Sequence, residues 1–282
     1  MTSVVIPVHN SARYLPTLLE SLRQQTADDW EVVAIDNRSV DDSRRILTDT
    51  TLSAPLRLER ADERANPSYA RNVGAAIATG DKLLFVDADD AVSSSYVRLM
   101  AEALDEHPMV TSRVDSAALN PDAVREVFGA SWQSDGIDTY FDFLPACGVN
   151  IGIRRDLFET LGGFPEEFSG SEDIAFAWKA HLAGVRLHFV EDAVYSYRHR
   201  ESLADLFRQA ANWGRDNALL YAKFRQHGMP GRSWRLTARE WSETIRDVLV
   251  ARNDLERGRA AVRFGFCVGR LKGSTKYRVR YL

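Results

Sequence analysis

Apolar positions along the first half of the chain follow two alternating rhythms. Short β-branched runs, "SVVIPV" (3–8), "EVVAID" (31–36) and "KLLFVD" (82–87), predict strands, with a weaker third strand at "LRLER" (56–60). The last strand, "KLLFVD", is unbroken by polar alternation and is expected to be buried on both faces. Between the runs the spacing becomes helical. Leu15, Leu18, Leu19 and Leu22 share one face of a helix that Asn10 or Ser11 can cap; Asp41 or Asp42 caps the next, and "SYARNVGAAIA" (68–78) forms another. Strand and helix in alternation predict βαβ units and a mostly parallel sheet.

Farther along, Ile174, Phe176, Ala177, Ala180 and Leu182 mark a helix opening at Glu172, and "RLHFVE" (186–191) and "VYSY" (194–197) read as two strands. Beyond residue 200 the pattern is helical throughout. Ser202 with Asp205 resembles a capping box ahead of a long helix that carries Leu206, Phe207, Ala210, Ala218, Tyr221 and Phe224 and stops near Gly228. Trp234, Trp241, Ile245, Val248 and Leu249 imply a further helix, whose apolar face is expected to pack inward as core; covering a ligand site or joining a homodimer are the alternatives.

Composition narrows the class. The 282 residues are 45% hydrophobic and 27% charged, values of an ordinary globular protein. Cys147 and Cys267 lie far apart without zinc or disulfide spacing, the N-terminus enters a strand directly, and no run approaches the ~20 apolar residues of a membrane span. A soluble, cytoplasmic protein is expected. The net charge of −4 argues against a nucleic-acid partner, yet the sum hides an asymmetry: residues 257–282 hold eight Lys or Arg and no acid, interleaved with Phe264, Phe266, Leu271, Tyr277 and Tyr281. Two readings stay open for this segment, a solvated basic tail and an amphipathic stretch resting on the anionic inner face of a membrane.

Candidate chemistry gathers at strand ends. Pro7 to Asn10, Asp36 and Asp87 all arrive at the C-terminal edge of the sheet, where open α/β folds bind ligands. Asp90 can serve as a cap for the segment near Ser93. Asp87 and Asp89 together would repel each other without a cation or proton between them, and hard divalent ions take oxygen ligands.

Five motifs, "VVIPVHN", "EVVAIDNRSVDDS", "ARNVG", "LLFVDADD" and "LGGFPEEFSGSED", stand in the order found in inverting family 2 glycosyltransferases of the GT-A fold, which the chain resembles over roughly residues 3 to 200. The resemblance implies a catalytic domain at 1–200, a helical extension with a basic tail at 201–282, a UDP-, dTDP- or GDP-sugar donor, a Mn²⁺ or Mg²⁺ ion, and a hydroxyl acceptor, saccharide or lipid-linked. Pro7, His9 and Asn10 are then expected beside the nucleotide, Asp36 on its base or ribose, and Arg71 at the donor. Asp87 and Asp89 match the DXD pair, with Asp87 near ribose and ion and Asp89 as direct ligand. His199 is expected to complete the metal site, with its basic neighbours Arg198, Arg200 and Arg208 able to hold diphosphate instead; Gly148, Asn150 and Glu172 are expected on the sugar and acceptor side, and Asp173 to deprotonate the acceptor.

One departure stands out. Arg38 occupies a turn position where the family usually has glycine, so either the turn takes another conformation or Arg38 reaches the nucleotide. Among rival readings, a phosphatase would use its paired acids after the first strand, and a nucleotidyltransferase would show a glycine-rich, lysine-bearing opening that "VVIPVHNSARY" lacks. A non-catalytic nucleotide-sugar-binding scaffold is the remaining alternative.

Overall fold

The computed structural model describes residues 1–128, 133–148 and 150–282. The first half alternates as its sequence predicts: β1 (Thr2–Val8), α1 (Leu15–Arg23), β2 (Trp30–Asp36), α2 (Ser43–Thr48), β3 (Leu56–Arg60), α3 (Pro67–Ile77) and β4 (Lys82–Phe85). β1 pairs in parallel with β2 and β4, and β2 with β3, so the C-terminal ends of β1, β2 and β4 share one edge. Then come β5 (Ala91–Val92), α4 (Tyr96–Glu106), β6 (Met109–Asp115), α5 (Asp122–Phe128), the small hairpin β7 (Thr139–Tyr140) and β8 (Leu144–Pro145), β9 (Ile151–Arg154), α6 (Arg155–Thr160), α7 (Glu172–Leu182) and β10 (Leu187–Ser196). Among the described residues the main sheet runs β3-β2-β1-β4-β9-β6-β10-β5. It is mixed and mostly parallel, with β9 antiparallel between β4 and β6, and β5 antiparallel to β10. The two strands expected at 186–191 and 194–197 are one, β10, interrupted by a register shift between Val190 and Val194.

The unbroken apolar strands are explained by a core on each face. Val4, Ile6 and Val8 of β1 meet Leu15, Leu18, Leu19 and Leu22 of α1, while Val5 on the opposite pleat meets Ile35, Phe85 and the aromatic group Phe158, Phe164 and Phe176. Capping departs from expectation at α1. Neither the Asn10 nor the Ser11 side chain caps that helix; the Ser11 carbonyl instead accepts from the Tyr14 and Leu15 amides.

Three helices close the chain: α8 (Leu203–Phe224), α9 (Trp234–Val250) and α10 (Asp254–Tyr277). The Ser202 hydroxyl accepts from the Asp205 amide at 3.1 Å, the expected cap of α8. The segment 257–282 is not a solvated tail, because most of it is α10, packed along α8 so closely that a Cβ on Gly269 would strike the Ala211 carbonyl and one on Gly214 the Phe266 carbonyl. Glycine is required there by the approach of the two backbones. Gly258, Ala260, Gly265, Cys267 and Arg270 are buried, and Tyr281 stacks on Tyr221 with ring centroids 4.8 Å apart. A further expectation to fail is α9, whose Trp234, Ile245, Val248 and Leu249 lie exposed instead of forming core. Among the described residues no helix is long and apolar enough to cross a membrane.

Candidate active site

A cavity of about 640 Å³ opens where β1, β2 and β4 end. Pro7, His9 and Asn10 line its first side. His9 Nδ1 lies 2.7 Å from the Asn37 carbonyl, and Asn10, at φ 50, accepts from the Val40 amide through its side-chain oxygen at 2.9 Å. These bonds tie the loop after β1 to the loop after β2. Asp36 is buried beneath the cavity lining; it accepts from the Ser39 amide at 3.0 Å and faces Arg44 at 3.6 Å. Its neighbour Asn37 lines the cavity in its place.

Arg38 resolves differently from both alternatives raised by the sequence. It keeps the left-handed conformation, φ 66, and its guanidinium donates to the Asp62 and Glu63 carbonyls at 2.7 and 3.2 Å, away from the cavity lining. Two carbonyl bonds offset the strain that a glycine would have avoided.

Arg71 of α3 is the electrostatic centre. Buried to 2% exposure, it bonds Asp87 at 2.6 Å and Glu172 at 2.7 Å, joining the acid after β4 to the acid that opens α7. Asp87, Asp89 and Asp90 place ligand oxygens within 4.8 Å of one another, the one such group among the described residues. Asp89 pairs with Arg200 at 2.5 Å. Asp90 is no helix cap: it is buried, accepting from the Tyr195 hydroxyl at 2.8 Å and the Arg198 amide at 2.7 Å, while the same hydroxyl accepts from the Asp87 amide at 3.0 Å. Burial, with Asp89 and Asp87 nearby, pushes the Asp90 carboxyl well above the usual carboxylate range. Clustered carboxylate oxygens suit a hard divalent cation, and Asp89 and Asp87 are the two of the three that face the cavity.

Asp173, second residue of α7, also lines the cavity. One oxygen accepts from the Ile174 amide at 2.7 Å, and among the described residues its carboxylate makes no ion pair. Burial, then the negative charge of Glu172, raises its pKa well above the usual range. Beside it, Glu172 is spent on Arg71.

Two expected residues lie elsewhere. Asn150 is buried inside the sheet, donating to the Ser112 carbonyl at 2.8 Å, whereas Gly148 does line the cavity. His199 stacks on Phe128 with centroids 4.2 Å apart, takes no part in the aspartate group and is not among the cavity lining. Sequence reading placed Arg208 near the diphosphate and missed the rest of the wall that it shares with Gln209, Asn212 and Trp213 of α8. Their spacing of one, three and one residues was the available signal, since it sets a polar face opposite the apolar stripe that includes Leu206, Ala210 and Ala218.

A family model described as Glycosyl transferase family 2 matches residues 3–162. An uncharacterized glycosyltransferase of Haemophilus influenzae is 32% identical over 186 residues, 64% of this chain and 61% of its own length. The poly(ribitol-phosphate) beta-N-acetylglucosaminyltransferase TarS of Staphylococcus aureus is 27% identical over 199 residues, 69% of this chain and 35% of its own. The chain thus spans less than two thirds of either relative. In three dimensions, the structure of TarS 1–349 covers all of the chain, and is itself 93% covered, at a TM-score of 0.56 and 20% identity. The mannosyltransferase PcManGT of Pyrobaculum calidifontis, solved with GDP-Man and Mn²⁺, covers 96% of the chain, and is itself 86% covered, at a TM-score of 0.65 and 18% identity. Sheet and flanking helices follow the GT-A arrangement of these neighbours.

Proposed function

Because the chain belongs to glycosyl transferase family 2, we propose that it is a glycosyltransferase that moves a sugar from a nucleotide-diphosphate donor to an acceptor hydroxyl with inversion, using Asp173 as base. The observation that carries this reading is the division of labour among the cavity carboxylates: Asp87 and Glu172 are held by Arg71, Asp89 is paired with Arg200, and Asp173 alone among these makes no ion pair. Chemistry assigns the roles. A base needs a carboxylate whose proton affinity is raised, and burial raises it at Asp173. Asp89, with Asp87, would hold Mn²⁺ or Mg²⁺, which supplies charge neutralisation to the departing diphosphate.

In the transfer, Asp173 takes the acceptor proton, the acceptor oxygen bonds to the anomeric carbon, and the bond from that carbon to the diphosphate breaks on the opposite side. Pro7, His9, Asn10 and Asn37 would bound the nucleotide, a UDP, dTDP or GDP unit. Gly148 with the α8 wall would face sugar and acceptor. In this reading residues 1–200 form the catalytic domain, and the helical extension at 201–282 contributes that wall.

The test is a thermal-shift panel of UDP, GDP and dTDP and their sugars, with and without Mn²⁺, on the wild type and Asp89→Ala. A ligand at a hundredfold its Kd adds about 2.7 kcal/mol. Mn²⁺-dependent stabilisation by one nucleotide that disappears in Asp89→Ala supports the reading. No stabilisation under any condition overturns it.

A further inference from the structure

α9 is an amphipathic helix mounted inside out. Thr237, Glu240, Thr244 and Asp247, spaced three, four and three apart, form its inward stripe: Thr237 donates to the Leu282 carbonyl at 2.6 Å, Glu240 pairs with Arg232 and Arg270, Thr244 is buried against Cys267, and Asp247 pairs with Arg263 at 2.6 Å. The outward stripe is Trp234, Ala238, Trp241, Ile245, Val248 and Leu249. Trp234 is 63% exposed and Leu249 79%, and Trp241 meets Phe264 of α10 edge-on, which extends the apolar surface onto the neighbouring helix. A soluble helix normally turns such a stripe to the core. Polar groups anchor this one, so the apolar side is left for something else.

Charge indicates what covers it. Residues 229–282 carry thirteen Lys or Arg against five Asp or Glu, a formal +8, in a chain whose total is −4, so residues 1–228 carry −12. Arg235, Arg239 and Arg246 run along the border of the stripe, and the pairings of Arg239 with Glu243 and of Arg246 with Asp247 are worth little in water. A second copy of the chain docking by the same face would set these arginines against their own counterparts. An anionic bilayer would accept both the apolar side chains and the arginines, with the indole of Trp234 at headgroup depth. We propose that the outer face of α9 docks on an anionic lipid surface. The segment for which sequence alone leaves such contact open, 257–282, forms the platform beneath this face, because α10 holds the polar stripe of α9. This surface lies outside the cavity lining and does not depend on the transfer reaction.

The experiment is co-sedimentation of the full chain with pure phosphatidylcholine vesicles and with equimolar phosphatidylcholine and phosphatidylglycerol vesicles, for the wild type, Ile245→Glu/Leu249→Glu, and Arg235→Gln/Arg246→Gln. Both double variants alter exposed side chains, and circular dichroism verifies their folding. Binding is expected to the anionic vesicles only, to fall more than about tenfold in the first variant as two apolar anchors are lost, and to fall roughly fivefold per arginine in the second. Failure of the wild type to bind anionic vesicles, or equal binding by the folded first variant, overturns the proposal. Sedimentation velocity without lipid covers the rival occupant: a dimer broken by Ile245→Glu/Leu249→Glu would give the face to a second copy and likewise overturn it.

Discussion

Two ionic triads have opposite polarity, one centred on the buried Arg71 and one on Glu240, whose side chain stays 30% exposed. At the sheet edge one cation, Arg71, is shared by Asp87 and Glu172; among the closing helices one acid, Glu240, is shared by Arg232 and Arg270. The first leaves a negative excess facing a cavity and the second a positive excess beneath an exposed helix. Neither triad balances its charge internally; a divalent cation is the proposed outside partner of the first and an anionic lipid surface that of the second.

The largest expected effect separates chemistry from this scaffold. Asp173→Asn should lower turnover by about 10²- to 10⁴-fold while nucleotide-dependent thermal shifts persist, measured by product release under single-donor conditions. Since the folded-state pKa of Asp173 is raised, the base becomes active only as pH climbs above the ordinary carboxylate range; the acid limb of the wild-type rate profile should lie there.

Breaking the first triad comes next. Arg71→Met strands two carboxylates, one of them fully buried, and should cost about 3–5 kcal/mol in urea unfolding. In the second triad Arg270→Met leaves Glu240 with Arg232 and should cost only about 1 kcal/mol. Equal losses would erase the contrast between the two.

Between these in size lies Asp216 of α8, fully buried, accepting from the Ser169 amide at 2.6 Å, with its pKa raised from 3.8 to about 6 chiefly by burial. The folded state holds this proton to a higher pH than the unfolded state, so stability is fullest below the unfolded value and falls as pH rises towards 6, by up to about 3 kcal/mol. Asp216→Asn should flatten that part of the Tm–pH curve.

Much of the sheet edge could be read in advance because its determinants are local. Runs such as "VVIPV" and "KLLFVD" fix strands buried on both faces, and a strand followed by Asp87 and Asp89 places those acids at a lip without knowledge of any partner. What escaped depends on distant pairing. Arg200 meets Asp89 from 111 residues away, Asp90 is buried by Tyr195 from 105 away, and Arg38 keeps a glycine-like turn through carbonyls 24 and 25 residues on. The face of α9 escaped for another reason: periodicity reveals that a helix has two sides, but which side turns inward is decided by Leu282, Arg232, Arg263, Cys267 and Arg270, none of them within the helix.

The seam between α8 and α10 has a consequence for how this scaffold can diversify. Backbone meets backbone at Gly214 and Gly269, so α8 can neither slide nor rotate without collision, whereas Arg208, Gln209 and Asn212 on its cavity side stand clear of that seam and Trp213 stacks on Phe266 across it. If the cavity holds sugar and acceptor as proposed, new preferences would arise by exchanging those three side chains in place, on a rail whose register is locked.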